Sequence, residues 1–190
     1  ISYKQKVKNR FDNNLLTGLV TIKDSNLSNI NIEIYGGIHE DSLNIMNSKG
    51  TINNIIVSNS SADAIDFDHS NLNVKNIKVY NAGNDCVDLS GGNYKIELIS
   101  AEKCFDKGIS VGENSKSIVD KLMISDVNIG FVSKDSSFLT VGSGKISNYK
   151  ICSAAYRKKQ EFNGSIIKSL NKICPQKDVS IQKHSYYIYK

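Results

Sequence analysis

Tryptophan is absent from this 190-residue chain, proline occurs once, at Pro175, and only 8% of residues are aromatic. With so little proline, the turns must be made by Asn, Asp, Gly and Ser, which tolerate left-handed backbone conformations. No apolar run reaches the roughly 18 residues of a membrane span, and nothing at Ile1 resembles a secretion signal. An initiator Met is also lacking, which reads as a fragment or a processed chain, attached to other domains of a longer protein. His39, His69 and His184 are too dispersed for a zinc site, and neither a Ser nucleophile elbow nor a Gly-rich phosphate loop occurs. His69 follows Asp66 and Asp68 and reads as incidental. The four Cys are too few for a disulfide scaffold and are not spaced as a metal site. Cys152 and Cys174, one repeat apart, could stack or bridge adjacent coils; the expectation is free thiols, since buried Cys is common in neither role. A net charge of +5 is scattered along the chain, so no tail or patch points to nucleic acid.

What the chain does have is a repeat. Between Glu40 and Lys159, Asp41, Asp63 and Asp85 recur every 22 residues, and Lys107 takes the same place in the fourth unit. Two residues on stand Leu43, Ile65, Val87, Ile109 and Phe131, and two beyond those Ile45, Phe67, Leu89 and Val111. A second pair of columns reads Ile52, Val74, Ile96, Ile118 and Ile55, Ile77, Ile99, with Leu122 one residue late. Each unit holds two or three short alternating runs bounded by Gly, Asn and Ser, the pattern of strands. A fixed period of this size means a solenoid, all-β, with rungs about 4.8 Å apart. Asn54 over Asn76 and Asn59 over Asn81 predict amides hydrogen-bonded along the axis. Residues 1–17 read as an N-terminal cap, in which Ser2 to Lys8 alternate as an exposed strand or a frayed helix. Residues 18–172 read as coils, and 173–190 as a C-terminal cap or a domain junction, with strands at 179–181 and 186–189.

Period-two alternation places Ala64, Asp66 and Asp68 on the outside, with Cys86, Asp88 and Ser90 beneath them and Gly108, Ser110 and Gly112 next. The same face continues through Asp106, Glu113, Lys134, Asp135, Tyr156, Arg157 and Lys159. Carboxylates, lysines, an arginine and a tyrosine on one face are the inventory of a site for a polar, extended ligand. Like charges at rung spacing repel, so the Asp columns need a reason. Asp can accept hydrogen bonds from its own turn; a cation such as Ca²⁺ could neutralise the group; or paired carboxylates could serve catalysis. No loop has a complete Ca²⁺ ligand spacing, so no metal ligands and no cofactor are assigned.

These repeats resemble the right-handed parallel β-helix of the pectin-lyase-like superfamily over Gly18 to Lys172, which implies a three-sheet cross-section and a right hand. Polygalacturonase-type hydrolases of that fold carry an Asn-Thr-Asp turn, an Asp-Asp pair one coil on and a Gly-His-Gly turn one coil further. This chain has Ser61-Ala62-Asp63, Asn84-Asp85 and Asp106-Lys107-Gly108 at those intervals. Asp63 and Asp85 match two of the acids, while Asn84 and Lys107 depart from the pattern. Lyases and epimerases of the fold imply instead a basic residue that removes a proton beside a uronate carboxyl, a role open to Lys107. Its carboxylate neighbours would raise its pKa, the opposite of what a base needs. The expectation is therefore a glycan-binding or spacing module of an extracellular or envelope-related protein, with a polysaccharide, acidic ones included, on the Asp63 to Lys159 face. The alternative is a lyase, epimerase or hydrolase centred on Asp63, Asp85 and Lys107.

Overall fold

A computed structural model describes residues 10–189. The Ser2 to Lys8 alternation lies outside the described residues. From β1 (Gly18–Lys23) and β2 (Asn26–Tyr35) onward, the chain winds into a parallel β-solenoid of about eight turns, with coils of about 22 residues. Each early coil consists of a short front strand followed by a long one, β3 (Asp41–Met46) then β4 (Lys49–Ser60), β5 (Asp63–Asp68) then β6 (Asn71–Ala82), and the ladders run between coils, β3 to β5 and β4 to β6. After β7 (Val87–Ser90), pairing becomes nearly continuous through β8 (Asn93–Gly112), β9 (Lys116–Lys134) and β10 (Phe138–Tyr156). The last rungs are β11 (Ile166–Ser169), β12 (Val179–Ile181) and β13 (Tyr186–Tyr189), so both predicted C-terminal strands form and extend the ladders.

Hydrophobic columns supply the core. Val20, Leu43, Ile65 and Val87 align in register, as do Ile45 with Phe67 and Phe67 with Leu89. Leu43, Ile65, Phe67 and Phe131 are fully buried, each such side chain contributing about 1.5–3 kcal/mol. In β4 the inward positions run Ile52, Ile55, Val57, skipping alternation at Asn53 and Asn54. There the strand turns a corner while its register with the next coil is kept. The predicted amide stacks stand at the corners: Asn76 Nδ2 donates to Asn54 Oδ1 at 3.1 Å, Asn54 to Asn31 at 2.7 Å and Asn81 to Asn59 at 2.7 Å.

One column differs from expectation. Val119, not Ile118, stacks on Ile96, and Ile118 is 48% exposed. The added residue lies in the turn between β8 and β9, where Glu113 and Asn114 both adopt left-handed conformations. A compensating shift between Cys104 and Lys107 restores the period. Outward placement also fails at the entrance of the front strand, where Ala64 and Cys86 are fully buried. The expectation of free thiols is corrected as well: Cys86 bonds to Cys104 and Cys152 to Cys174, with Cα–Cα distances of 5.5 and 5.7 Å. Cys104 stacks beneath Ala82, just before the turn that leads to Cys86, so the first bridge ties one coil to the corner of the next. Loops of 18 and 22 residues closed this way are each worth about 3 kcal/mol in the chain-entropy account.

A buried serine ladder, not foreseen from the repeat, seals the turn after each front strand. Ser25 N donates to Ser48 Oγ at 3.1 Å, Ser48 N to Ser70 Oγ at 3.0 Å, and Ser115 N to Ser137 Oγ at 3.1 Å. Gly92 interrupts the series, because an added Cβ would lie 2.1 Å from Ser70 O and 2.5 Å from the Tyr94 hydroxyl. Tyr94 fills the role instead: its hydroxyl accepts from Ser70 N at 3.3 Å and lies 2.8 Å from Ser90 O, to which it can donate. Tyr94→Phe would leave the buried Ser70 N–H without a partner. The expected loss is about 1–3 kcal/mol, read as a lower urea midpoint with unchanged slope; an unchanged midpoint would remove Tyr94 from the ladder.

Candidate functional site

The front strands β3, β5, β7 and the C-terminal parts of β8, β9 and β10 put one outer face in register. One column runs Asn44, Asp66, Asp88, Ser110 and Val132, and its neighbour Met46, Asp68, Ser90 and Gly112, followed by the Lys134–Tyr156 pair. At the entrance of the same strands stand Asp41 and Asp63, with Asp85 and Lys107 below. Turns of two residues separate β3 from β4, β5 from β6 and β7 from β8. The face therefore forms a ledge along the solenoid axis, bordered at its lower end by residues 157–165 between β10 and β11, from which Lys159 reaches Glu113.

Asp63, Asp85 and Lys107 do come together. Asp63 Oδ1 accepts from Asp85 N and Asn84 Nδ2, each at 2.7 Å, so Asn84 serves as a donor to the acid above it. Asp85 Oδ1 accepts from Lys107 N at 3.1 Å and from Lys107 Nζ at 3.2 Å, while Lys107 also pairs with Asp106. Burial pushes the Asp63 carboxyl up to about 8, reinforced by the charge of Asp85. Burial also raises Asp85, to about 6, and Lys107 opposes the rise. Lys107 itself is only 8% exposed. Burial works against its charge, yet Asp85 and Asp106 outweigh it and hold the ammonium protonated. That is the reverse of a proton-abstracting base.

Lys134 reaches across the face to Asp88 Oδ2 at 3.4 Å, two coils away in sequence. Its path needs Gly112, where an added Cβ would meet Lys134 Cε at 2.6 Å. Ser110, stacked directly under Asp88, is fully buried. Lys159 pairs with Glu113 in a second two-coil span. Tyr156 is close enough for the charges of Lys107 and Lys134 to bear on its hydroxyl, although burial raises it overall. Asp135 is fully buried and serves a turn, its Oδ1 accepting from Lys158 N at 2.6 Å and Lys159 N at 2.8 Å. Arg157 is exposed, and its backbone N–H donates to Gln182.

Asn44 was not foreseen on this face, and Asp41 and Asp68, read from the repeat as members of the Asp columns, join the site. Asn44, fully buried, donates Nδ2 to Asp68 Oδ2 at 3.0 Å, while its Oδ1 has no partner. Asp41, 2% exposed, has an unpartnered Oδ2 and is raised by burial to about 6. Asp68 is raised by burial, with Asn44 opposing, and Asp66 is raised further, by burial and then by Asp68 and Asp41. The signal was the register itself, since Asn44 stands one period above Asp66. Among the described residues, no group of three or more His, Cys, Asp and Glu side chains is arranged to hold a metal ion, and no helix is long and apolar enough to cross a membrane. Comparison with family models, curated proteins and solved structures finds no match to this chain.

The raised carboxyls tie stability to pH. Their folded values lie above the ordinary 3.8, so the folded state binds more protons than the unfolded chain and stability falls as pH rises. The contribution is complete below pH 3.8, falls from there upward, and is fully lost once pH has passed the folded values of about 6 for Asp41 and Asp85 and about 8 for Asp63. Urea midpoints should decline across that range, and Asp63→Asn should recover about 1–3 kcal/mol at its alkaline end. A profile that is flat or rises with pH would contradict the burial of these acids. Separately, Gly112→Ala should displace Lys134 and cost about 1 kcal/mol. A double-mutant cycle with Asp88→Asn checks this, the two losses being expected to be less than additive.

Proposed function

We propose that this protein is a glycan-binding module of the parallel β-helix type, similar in build to pectin-lyase-like repeats, with its ligand laid along the ledge from Asp63 toward Lys159. The observation that carries the reading is the pair of adjoining columns that hold half-buried Asp66, Asp88 and Asp68, the second continued by Tyr156, aligned along the axis beside two-residue turns. Carboxylates are strong acceptors for sugar hydroxyls, and a tyrosine supplies an apolar ring with a polar end. Two disulfides fit an oxidising compartment, extracellular or of the cell envelope.

One observation favours a second reading, a glycoside hydrolase. Asp63 and Asp85 are adjacent acids whose proton affinities are set apart, one pushed to about 8 and the other to about 6. In that reading Asp63 is the proton donor and Lys107 fixes Asp85 as its carboxylate. A lyase or epimerase with Lys107 as base has no support in the ion pairs that hold it.

The test is incubation with a panel of neutral, acidic and amino polysaccharides, following retention, new reducing ends and the ultraviolet absorbance of unsaturated uronates. Retention without turnover is expected, with Tyr156→Ala weakening it about tenfold, near 1.4 kcal/mol. Reducing ends that vanish in Asp63→Asn would establish the hydrolase instead. Silence in all three readouts would leave a spacer whose Asp columns serve the turns.

A further inference from the structure

The charges on the ledge are not balanced within it. Lys107 is neutralised by Asp85 and Asp106, Lys134 by Asp88, and Lys159 by Glu113. By contrast, among the described residues no Lys or Arg lies within ion-pair distance of Asp41, Asp63, Asp66 or Asp68; only His69 bears on Asp68 from beside it. The surplus at the upper end of this face is therefore carboxylate, while at its lower end the paired lysines leave no cation over and the exposed Arg157 is in no ion pair among the described residues.

A second observation, independent of the acids, points the same way. Asn44 is fully buried in the same outward column as Asp66 and Asp88, its amide nitrogen already committed to Asp68, yet its Oδ1 has no partner. Asp41 Oδ2 and Asp88 Oδ1 are likewise unpartnered. These three atoms are acceptors; Ser110 Oγ, stacked under Asp88 and also unpartnered, is a hydroxyl able to donate to Asp88, so the donor still missing is the one for Asn44 and Asp41. A buried acceptor left unpaired costs about 1–3 kcal/mol, and two in one cluster favour a ligand that brings N–H groups and positive charge together. A uronate would bring neither.

Resting on the glycan-binding reading above, we infer that the ligand is an amino-sugar polymer, its ammonium groups received by Asp66, Asp68 and the Asn44 carbonyl. Asp68 lies two residues along the same strand as Asp66, and Asn44 stands one rung from Asp66, about 4.8 Å away. That is close to the length of one sugar ring along an extended chain, whereas an extended peptide advances about 3.3–3.6 Å per residue and falls out of step. A basic peptide is thus the less favoured carrier of the same ammonium chemistry.

The experiment titrates the full chain with a glucosamine oligosaccharide, its fully N-acetylated counterpart, oligogalacturonate and oligolysine, across mildly acid to neutral pH, because the amino groups must keep their protons while the raised Asp66 and Asp68 carboxyls give theirs up. The expected result is that the glucosamine oligomer binds at least about tenfold more tightly than the N-acetylated one. Asp66→Asn combined with Asp68→Asn should reduce that affinity about tenfold or more, while Glu97→Gln, on another face, should leave it unchanged. Both Asn replacements keep an acceptor oxygen and remove repulsion, so folding is retained, and a urea midpoint confirms it. Equal or tighter binding of the N-acetylated or galacturonate oligomer, lost in Tyr156→Ala, would overturn the charge inference and leave the glycan reading standing. Tighter binding of oligolysine would replace the sugar with a peptide. Glucosamine binding indifferent to Asp66 and Asp68 would overturn the inference as general attraction, and no binding by any oligosaccharide would sink both readings.

Discussion

Every position in this protein must tolerate a near copy of itself one rung away. Parallel in-register stacking brings equivalent side chains to about 4.8 Å, so whatever a residue does is repeated or answered by its neighbours above and below. Aliphatic columns answer it with packing, as in the Leu43, Ile65 and Val87 series. Amides and hydroxyls answer it with hydrogen bonds that run along the axis, as in the Asn31, Asn54 and Asn76 chain and the serine ladder. These are self-compatible chemistries, and they fill most columns.

Carboxylates are the exception. Asp41 over Asp63, and Asp66 over Asp88, have no attractive way to stack. The molecule deals with part of the problem by answering acids with bases further down: Lys107 beneath Asp85, and Lys134 bridging back over Gly112 to Asp88. It leaves the rest unanswered at Asp63, Asp66 and Asp68, where burial and mutual repulsion raise the carboxyl pKa values. A stability cost concentrated on a single ledge, while the remaining columns are self-compatible, is what distinguishes this face from an ordinary polar surface.

The disulfides and the turn after β8 show how the repeat accommodates departures. A residue inserted at Glu113 to Ser115 shifts the first part of β9, and the shift between Cys104 and Lys107 returns the front strand to register. The front face is thereby kept aligned at the expense of the back. Cys86, on the front strand's entrance, is tied to Cys104 at the corner of the next coil, near the Asp85 and Lys107 pair.

The solenoid, its period, the front-face columns and the amide stacks were all determined by the sequence alone, because a strict repeat makes sequence distance equal to spatial distance. Asp63, Asp85 and Lys107 were legible as neighbours for that reason. Tertiary structure decided whatever breaks the repeat or spans more than one rung. Tyr94 replacing a serine across Gly92, Val119 taking the place of Ile118, and Cys86 turning inward to Cys104 each depend on a corner or an insertion that periodicity does not encode. So does the charge state of the ledge. Which acids are answered and which are not follows from how far Lys107 and Lys134 reach in three dimensions and how deeply they are buried. Spacing in a chain carries neither reach nor depth.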